Sequence, residues 1–545
     1  MSSDAASLTE PTSEGLAPGG SVQVQREQRT APPGDRALAQ LEGRQLAVLV
    51  LAVFAAGLCS IVYELLVGTA SSYFLGDSVR QFSITIGLFM ASMGLGSYLS
   101  RHLGEQVLRS FVWVEIALGV VGGLCIPALY ATYAYTDDLY QPVMLSFIVV
   151  IGTLTGLEIP ILVLAMRRFF RLKENLSNIL SLDYFGALAA TLLFPFVLLP
   201  TLGTFKSSLA IGGLNIVVAL IVLRSFKAQL EPSGRSTAWL VASLALLGQL
   251  VLMLFSAQLL RGWHGAIYED RVLLMRQSKY QKLVLTEHKT DLRLFLNGNL
   301  QFSSLDEHRY HEALVQPAFA LAARGEHVLV LGGGDGLAVR ELLKHPTVQR
   351  ITLVDLDPAV TELAMNHHRL RQLNQGSLSS SKVTIRNEDA WAFMEHTEER
   401  FDLILMDLPD PNDVSVARLY SREFFGLTSR HLARDGVFVT QSTSPFFAPE
   451  AFWTIERSVA ATGLQTLPYH ANVPSFGDWG FVMAAHFPLD PKRIHIDVHT
   501  RYLDDALVPS LFRFPKDVLR PGMTPSTLDE PRVLQAYLRG WKQWE

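Results

Sequence analysis

Seven stretches of about 20 mostly apolar residues follow one another in the first half of this chain, at roughly 45–67, 82–100, 111–133, 142–166, 179–202, 207–223 and 238–260. A helix rises about 1.5 Å per residue, so each run is long enough to cross the hydrocarbon layer of a bilayer. A buried helix of a soluble protein could mimic one such run, but not seven in succession. Backbone in lipid must satisfy its own hydrogen bonds, and runs of this length predict seven transmembrane helices. Gly87, Gly94, Gly96, Gly119, Gly122 and Gly123 supply small faces for close helix contact. Glu64, Glu115, Glu158 and Asp183 fall within or at the edges of the spans. They read either as hydrogen-bonded packing residues or as the lining of a polar path.

What surrounds these spans narrows the class further. Residues 1–43 are rich in Ser, Pro, Gly, Ala and Gln and predict a disordered tail; they lack the order of elements of a signal peptide. The spans occupy 44–261 and place the chain in the cell (plasma or inner) membrane as a multi-pass protein. A formal net charge of −5, with no basic stretch, argues against nucleic acid as a partner. The 2 cysteines, Cys59 and Cys125, lie in apolar segments and offer neither a disulfide framework nor metal-ligand spacing. Basic residues crowd one set of loops: Arg101 and Arg109; Arg167, Arg168, Arg171 and Lys173; Arg224, Lys227 and Arg235. The other set has little beyond Arg80 and Lys206.

After Arg261 the pattern changes to that of a soluble α/β domain. Residues 262–304 alternate as strands and carry the hairpin signal Asn297-Gly298, which predicts a small β-domain. A helix is expected over about 306–323. Over 305–490, strands at 327–331, 351–354, 383–385, 403–406 and 437–440 alternate with helices, the pattern of a mostly parallel, doubly wound Rossmann-like sheet. Residues 491–545 read as a C-terminal extension.

In such a sheet the ligand lies beyond the carboxyl ends of the strands, and the notable side chains sit there. Gly332 to Gly336 allows a tight turn and close approach of backbone to a ligand. Asp355 ends the second strand, placed to accept from both ribose hydroxyls of a nucleoside. Asp389-Ala390 follows the third strand, where the Asp can accept from an adenine amino group. Asp407 and Asp410, in Asp407-Leu408-Pro409-Asp410-Pro411, put two carboxylates at the mouth. Any one of these could be a helix cap; four at successive strand ends are better explained by one site.

Residues about 265–490 resemble the spermidine synthases, the polyamine aminopropyltransferases. The matching stretches are Tyr280-Gln281, Gly298 to Ser304, Asp306-Glu307, Tyr310-His311-Glu312, Gly332 to Gly336 and Asp355-Leu356-Asp357. They continue with Asp389-Ala390, Asp407 to Pro411, Tyr420, Gln441 and Gly477 to Phe481. The whole chain is similar to the branch in which a multi-helix membrane part precedes the synthase domain. The resemblance implies transfer of an aminopropyl group from decarboxylated S-adenosylmethionine, a co-substrate and not a resident cofactor, to a polyamine amine, with methylthioadenosine released. It implies Asp407 as general base, and Gln281, His311, Gly332, Gly334, Asp335, Asp355, Asp389 and Ala390 around the donor. Tyr310, Asp335, Asp410 and Gln441 would line the acceptor site. No metal is implied, and a homo-oligomer is compatible with the resemblance. The family often has Glu at the position of Asp355. Soluble members also carry Tyr-Pro-Ser/Cys-Gly where this chain has Val473-Pro474-Ser475-Phe476-Gly477, so Pro474 stands in the place of an acceptor-site tyrosine.

Two other readings stay open on residues alone. An S-adenosylmethionine-dependent methyltransferase shares the fold, but its donor carries a carboxylate that Asp335 would repel, whereas the decarboxylated donor presents only an ammonium. A transporter or sensor regulated by a nucleoside-binding domain would give the intramembrane carboxylates a task. The membrane side of the enzyme is contested: basic loops favour one side for the tail, and seven crossings would then put the enzyme outside. The supply of donor, made in the cytosol, favours a cytoplasmic active site.

Overall fold

The computed structural model describes residues 33–544 apart from 76–77, 105, 168, 170–171 and 269. The expected tail thus lies outside the described residues up to 32. Residues 33–43, read as part of it, instead form the first turns of helix α1 (Pro33–Leu75). Proline suits a first helical position, and Ala, Leu, Gln, Glu and Arg propagate a helix well. Helices α2 (Ser78–Leu99), α3 (Val107–Tyr135), α4 (Tyr140–Met166), α5 (Leu172–Leu193), α6 (Leu199–Ser225) and α7 (Pro232–Tyr268) follow.

Among the described residues, 6 helical segments are long and apolar enough to cross a membrane by length and composition. One of them, Lys173–Ser225, runs for 53 residues and contains both apolar stretches read as the fifth and sixth spans. Within it, α5 passes through a wide π-type turn at Phe194–Leu198, which contains Pro195, into α6. Inside α6, Gly203 leaves the helical region altogether (φ 68°, ψ 179°).

Small residues set the closest crossings. A Cβ on Gly119 of α3 would stand 2.7 Å from the Gly212 carbonyl of α6, and one on Gly212 would meet the Gly123 Cα at 2.6 Å. Gly96 and Gly122 also lie at contacts, whereas Gly87 and Gly94 face open space. The helix ends sort into two levels. At one, Gln45 of α1 donates to the Ser225 carbonyl (3.2 Å), and Gln106, before α3, donates to Glu231, before α7 (3.2 Å). At the other, Phe74 of α1 packs on Tyr130 and Tyr133 of α3 and Tyr140 of α4.

The helix α7 ends at Tyr268, not at 261, and strands β1 (Arg271–Gln277), β2 (Lys282–His288), β3 (Asp291–Leu296) and β4 (Asn299–Ser303) form an antiparallel sheet in that order. The β3–β4 turn has positive φ at both Asn297 (50°) and Gly298 (86°), the geometry that suits the twist of a two-residue hairpin. Then come α8 (Glu307–Leu321), β5 (His327–Gly332), α9 (Leu337–Leu342), β6 (Arg350–Val354), α10 (Pro358–Asn366), α11 (His368–Leu373), β7 (Val383–Arg386), α12 (Ala390–His396) and β8 (Phe401–Asp407). The chain finishes with α13 (Val414–Ala417), α14 (Arg422–His431), β9 (Leu432–Gln441), α15 (Pro449–Ala460), β10 (Gln465–Val473), β11 (Gly477–Ala485), α16 (Val508–Leu511) and α17 (Arg532–Trp541).

The second sheet has the order β10-β11-β9-β8-β5-β6-β7. Five strands, β9 to β7 in that order, are parallel and the β10–β11 hairpin is antiparallel at one edge. Val328 to Leu331 and Leu403 to Met406 are fully buried, as strands covered on both faces must be. The two halves meet at aromatic and polar contacts. Tyr268 packs on Phe295 of β3 (5.0 Å), and the buried Lys282 ammonium of β2 donates to the Tyr73 hydroxyl at 3.1 Å. Burial lowers Lys282 to about 8.

Candidate active site

Strand order reverses between β5 and β8, and Gly332 at the end of β5 pairs with Asp407 at the end of β8. The glycine turn is forced here by close approach. Gly332 and Gly333 have φ of 81° and 65°, and a side chain on Gly332 would strike the Asp407 carbonyl, which accepts from the Gly333 amide at 3.0 Å. A side chain on Gly334 would strike the carboxylate of Asp355. That carboxylate accepts from the amides of Gly334 (3.0 Å) and Asp357 (2.9 Å), leaving one lone pair on each oxygen for a further donor. Burial pushes Asp355 up to about 6. Asp357 beside it caps α10 through Ala359 (3.0 Å) and accepts from Ser278 (2.6 Å), tying the first sheet to the second.

The Asp407 carboxylate accepts a hydrogen bond from the Tyr310 hydroxyl at 2.7 Å and stands 4.0 Å from His311 Nε2. Both partners come from α8. Below them lies a buried ion pair: Arg340 grips both oxygens of Glu307 (2.9 Å each), and His311 Nδ1 lies 2.7 Å from the Glu307 carbonyl and 3.0 Å from its carboxylate. Burial alone would lower His311, but the Glu307 hydrogen bond and the Glu307, Asp335 and Asp407 charges raise it to about 9. Burial would raise Glu307, but His311 and Arg340 hold it at about 2. His311 is therefore a cation at neutral pH, aimed at Asp407. Asp335, in the glycine turn, accepts from the Leu337 amide (2.9 Å). Burial lifts Asp335 to about 6, with His311 opposing and Asp407 adding to the rise.

Asp410 lies three residues on, in a ring of donors. Gln441 Nε2 reaches it at 3.3 Å and the Leu408 carbonyl at 2.8 Å, and also contacts the Tyr420 hydroxyl. Thr443 donates to Asp410 at 3.4 Å, from a backbone with φ 55° that a β-branched residue rarely adopts. Burial raises Asp410 to about 6, and hydrogen bonds from Gln441, Tyr537 and Thr443 restrain the rise. Asp389 sits at the end of β7 but is engaged: it caps α12 at Ala392 (3.1 Å) and pairs with Arg418.

The ends of these strands open on one cavity of about 1770 Å³. Gln281, Ala390, Tyr310, His311 and the Gly332 to Asp335 turn line it with Asp355, Asp389, Asp407, Asp410 and Gln441. Its far walls are the ends of the long apolar helices, with Tyr73, Tyr133 and Thr204 among them. Among the described residues no group of three or more His, Cys, Asp or Glu is arranged to hold a metal ion.

Residues 307–489 match the spermine/spermidine synthase domain. Over nearly its whole length the chain is 41% identical to polyamine aminopropyltransferase 1 of Ralstonia nicotianae, covering 94% of this chain and 98% of that protein. The chain belongs to the polyamine aminopropyltransferase family. Another relative, the polyamine aminopropyltransferase of Oceanobacillus iheyensis, is 38% identical over 92% of this chain and 99% of its own. A crystal structure of a spermidine synthase in complex with the transition state analogue AdoDATO matches 46% of this chain and 87% of its own, at 25% identity and a TM-score of 0.42. The aminopropyltransferase relatives thus span the membrane part as well as the synthase domain.

Sequence reasoning passed over three parts of this aminopropyltransferase chamber. Glu307 and Arg340 form the pair that keeps His311 charged; Glu307 was seen only as part of a matching stretch, and Arg340 carries no local marker. The membrane helix ends were read as spans and not as walls. Tyr537, in the C-terminal extension, has no neighbouring motif.

Proposed function

We propose that this chamber holds decarboxylated S-adenosylmethionine across the glycine turn and a polyamine amine between Asp407 and Asp410. The observation that carries the reading is the gathering of Asp335, Asp407 and Asp410 on one cavity at the β5–β8 switch point. Such a site suits two cationic substrates and repels the carboxylate of an intact methyl donor. Asp355 would accept from the ribose hydroxyls and Asp389 with Ala390 would border the adenine, with Gln281 and His311 completing the donor site. Asp335 would bind the ammonium of the aminopropyl arm. Tyr310 and Gln441 would flank the acceptor.

The chemistry then needs no further group. Asp407 takes a proton from the attacking ammonium; the freed lone pair forms a C–N bond to the aminopropyl carbon next to sulfur as the C–S bond breaks. The sulfonium keeps that electron pair and leaves as neutral methylthioadenosine. The charged His311 faces the Asp407 carboxylate from 4.0 Å, and the Tyr310 hydroxyl fixes its orientation. Incubating the purified chain with decarboxylated S-adenosylmethionine and a panel of amines, with products identified by mass spectrometry, tests the reaction. Methylated products from the intact donor would replace this reading with methyl transfer.

For the membrane part the reading is seven crossings. At about 1.5 Å per residue, a 53-residue helical run is more than twice the depth of a bilayer. The break at Gly203 borders the chamber, at the same level as the C-terminal ends of α1 and α3, so α5 would rise to that level and α6 return from it. The basic loops then share the level of the N-terminal tail. Donor supply places the enzyme in the cytoplasm nonetheless. Green fluorescent protein fused after Glu545 is expected to be bright; a dark fusion with an active export-dependent phosphatase at the same point would put the enzyme outside.

A further inference from the structure

Pro474, at the position where the resemblance implies an acceptor-site tyrosine, borders the chamber and offers it no hydroxyl. Its segment is fixed in place, since Ser475 donates its amide (2.6 Å) and its hydroxyl (2.9 Å) to Asp306. Another wall comes from α17, beyond the matched synthase segment of 307–489. Val533 and Ala536 are buried on one face of this helix, and a Cβ on Gly540 would stand 2.7 Å from the Ala448 Cα and 3.0 Å from the Phe447 carbonyl. The approach leaves α17 one seating. The stretch leading to it is also tied down: Ser526 accepts from the Arg422 amide (2.8 Å), and its own amide donates to Ser458 (2.8 Å).

That seating brings Tyr537, one residue round from Ala536, into the chamber with its side chain hydrogen-bonded to Asp410. One turn on, Trp541 stacks on Phe447 at 5.0 Å and 28°, and both border the same cavity. We infer that Tyr537 is a specificity-determining positioning residue of the acceptor subsite, supplied by the C-terminal helix in place of the tyrosine that Pro474 displaces. Its hydroxyl orients the Asp410 carboxylate, and its ring, with Trp541, gives the alkyl chain and ammonium of a diamine an aromatic wall. The inference rests on the aminopropyl-transfer reading for its ligand class.

The test uses the full chain in detergent and Tyr537→Phe, which removes one oxygen and keeps the ring. The expected result is a KM for 1,4-diaminobutane raised about tenfold, with methylthioadenosine affinity unchanged. Losing a donor to Asp410 also raises that carboxyl further, so the acid limb of kcat/KM moves to higher pH in the variant. Tyr537→Ala should lose more, because the aromatic wall goes too. An acceptor KM and acid limb equal to the parent's would overturn the inference. So would equal losses of acceptor and donor affinity, which would mark a general disturbance. Calorimetric binding of 1,4-diaminobutane to the chain loaded with methylthioadenosine reads the subsite without turnover. A parent that binds the diamine, with weakened binding in Tyr537→Phe, keeps the inference even if no transfer is found; equal binding in both overturns it.

Discussion

The two halves of the chain bury carboxylates to the same depth and treat them in opposite ways. In the synthase domain Glu307 is fully satisfied by Arg340 and His311, and Glu312 accepts from three successive amides, Arg501 (2.7 Å), Tyr502 (2.8 Å) and Leu503 (3.0 Å). In the bundle Glu115 and Glu158, 1% and 2% exposed, hydrogen-bond to each other, while one oxygen of each has no partner. The synthase half uses buried charge to hold His311 against the Asp407 carboxylate. The helical half keeps its buried acids few and sets the two deepest against each other.

The largest effect expected from this contrast is at Asp407. Asp407→Asn keeps the shape but takes no proton, and turnover should fall by about a thousandfold while methylthioadenosine still binds. Turnover within tenfold of the parent would remove Asp407 from the base role. Next comes Arg340→Met, which leaves Glu307 with His311 as its only charged partner. Breaking a buried pair costs about 3–5 kcal/mol, so heat should abolish methylthioadenosine binding at a distinctly lower temperature. A variant as heat-resistant as the parent would mean that the pair is dispensable.

The same cluster sets a pH window for stability. His311 is raised from 6.5 to about 9, so its contribution is complete below 6.5 and disappears as pH climbs through 9. Glu307 is lowered from 4.5 to about 2, so its contribution is complete above 4.5 and disappears as pH falls through 2. Melting of the parent should therefore move to lower temperature between pH 6.5 and 9, and His311→Gln should flatten that slope. An equal slope in both chains would place the titrating group elsewhere. The smallest effect belongs to the bundle. Glu115→Gln can still donate to Glu158 and should change stability by no more than about 1 kcal/mol. A loss as large as that of Arg340→Met would show that the bundle too depends on a charged carboxylate.

How far each half could be read from sequence follows from where its signals lie. The strands β5, β6 and β8 are apolar runs that end at Gly332 or Asp407 or run straight into Asp355, so the residues at the sheet's edge have local markers. Arg340 lies 33 residues from Glu307, and its role depends on how α9 packs against α8. The β10–β11 hairpin was seen only as a family motif: Pro468 and Pro474 interrupt the strand pattern around it. The turn at Phe194–Leu198 was hidden inside the apolar run 179–202, whereas the break at Gly203 falls between the runs read as the fifth and sixth spans. Tyr537 was the least legible, being placed by Gly540 and Val533 against a helix some 80 residues earlier in the chain.

The break at Gly203 has one more consequence. An α-helix that loses its ladder for a turn leaves amides and carbonyls without intrahelical partners, and the interior of a bilayer offers them none. Leu199, Leu202, Gly203 and Thr204 border the catalytic cavity, so water in that cavity can hydrate them. Gly203 therefore marks a shoreline: the depth to which the chamber dips between the helix ends.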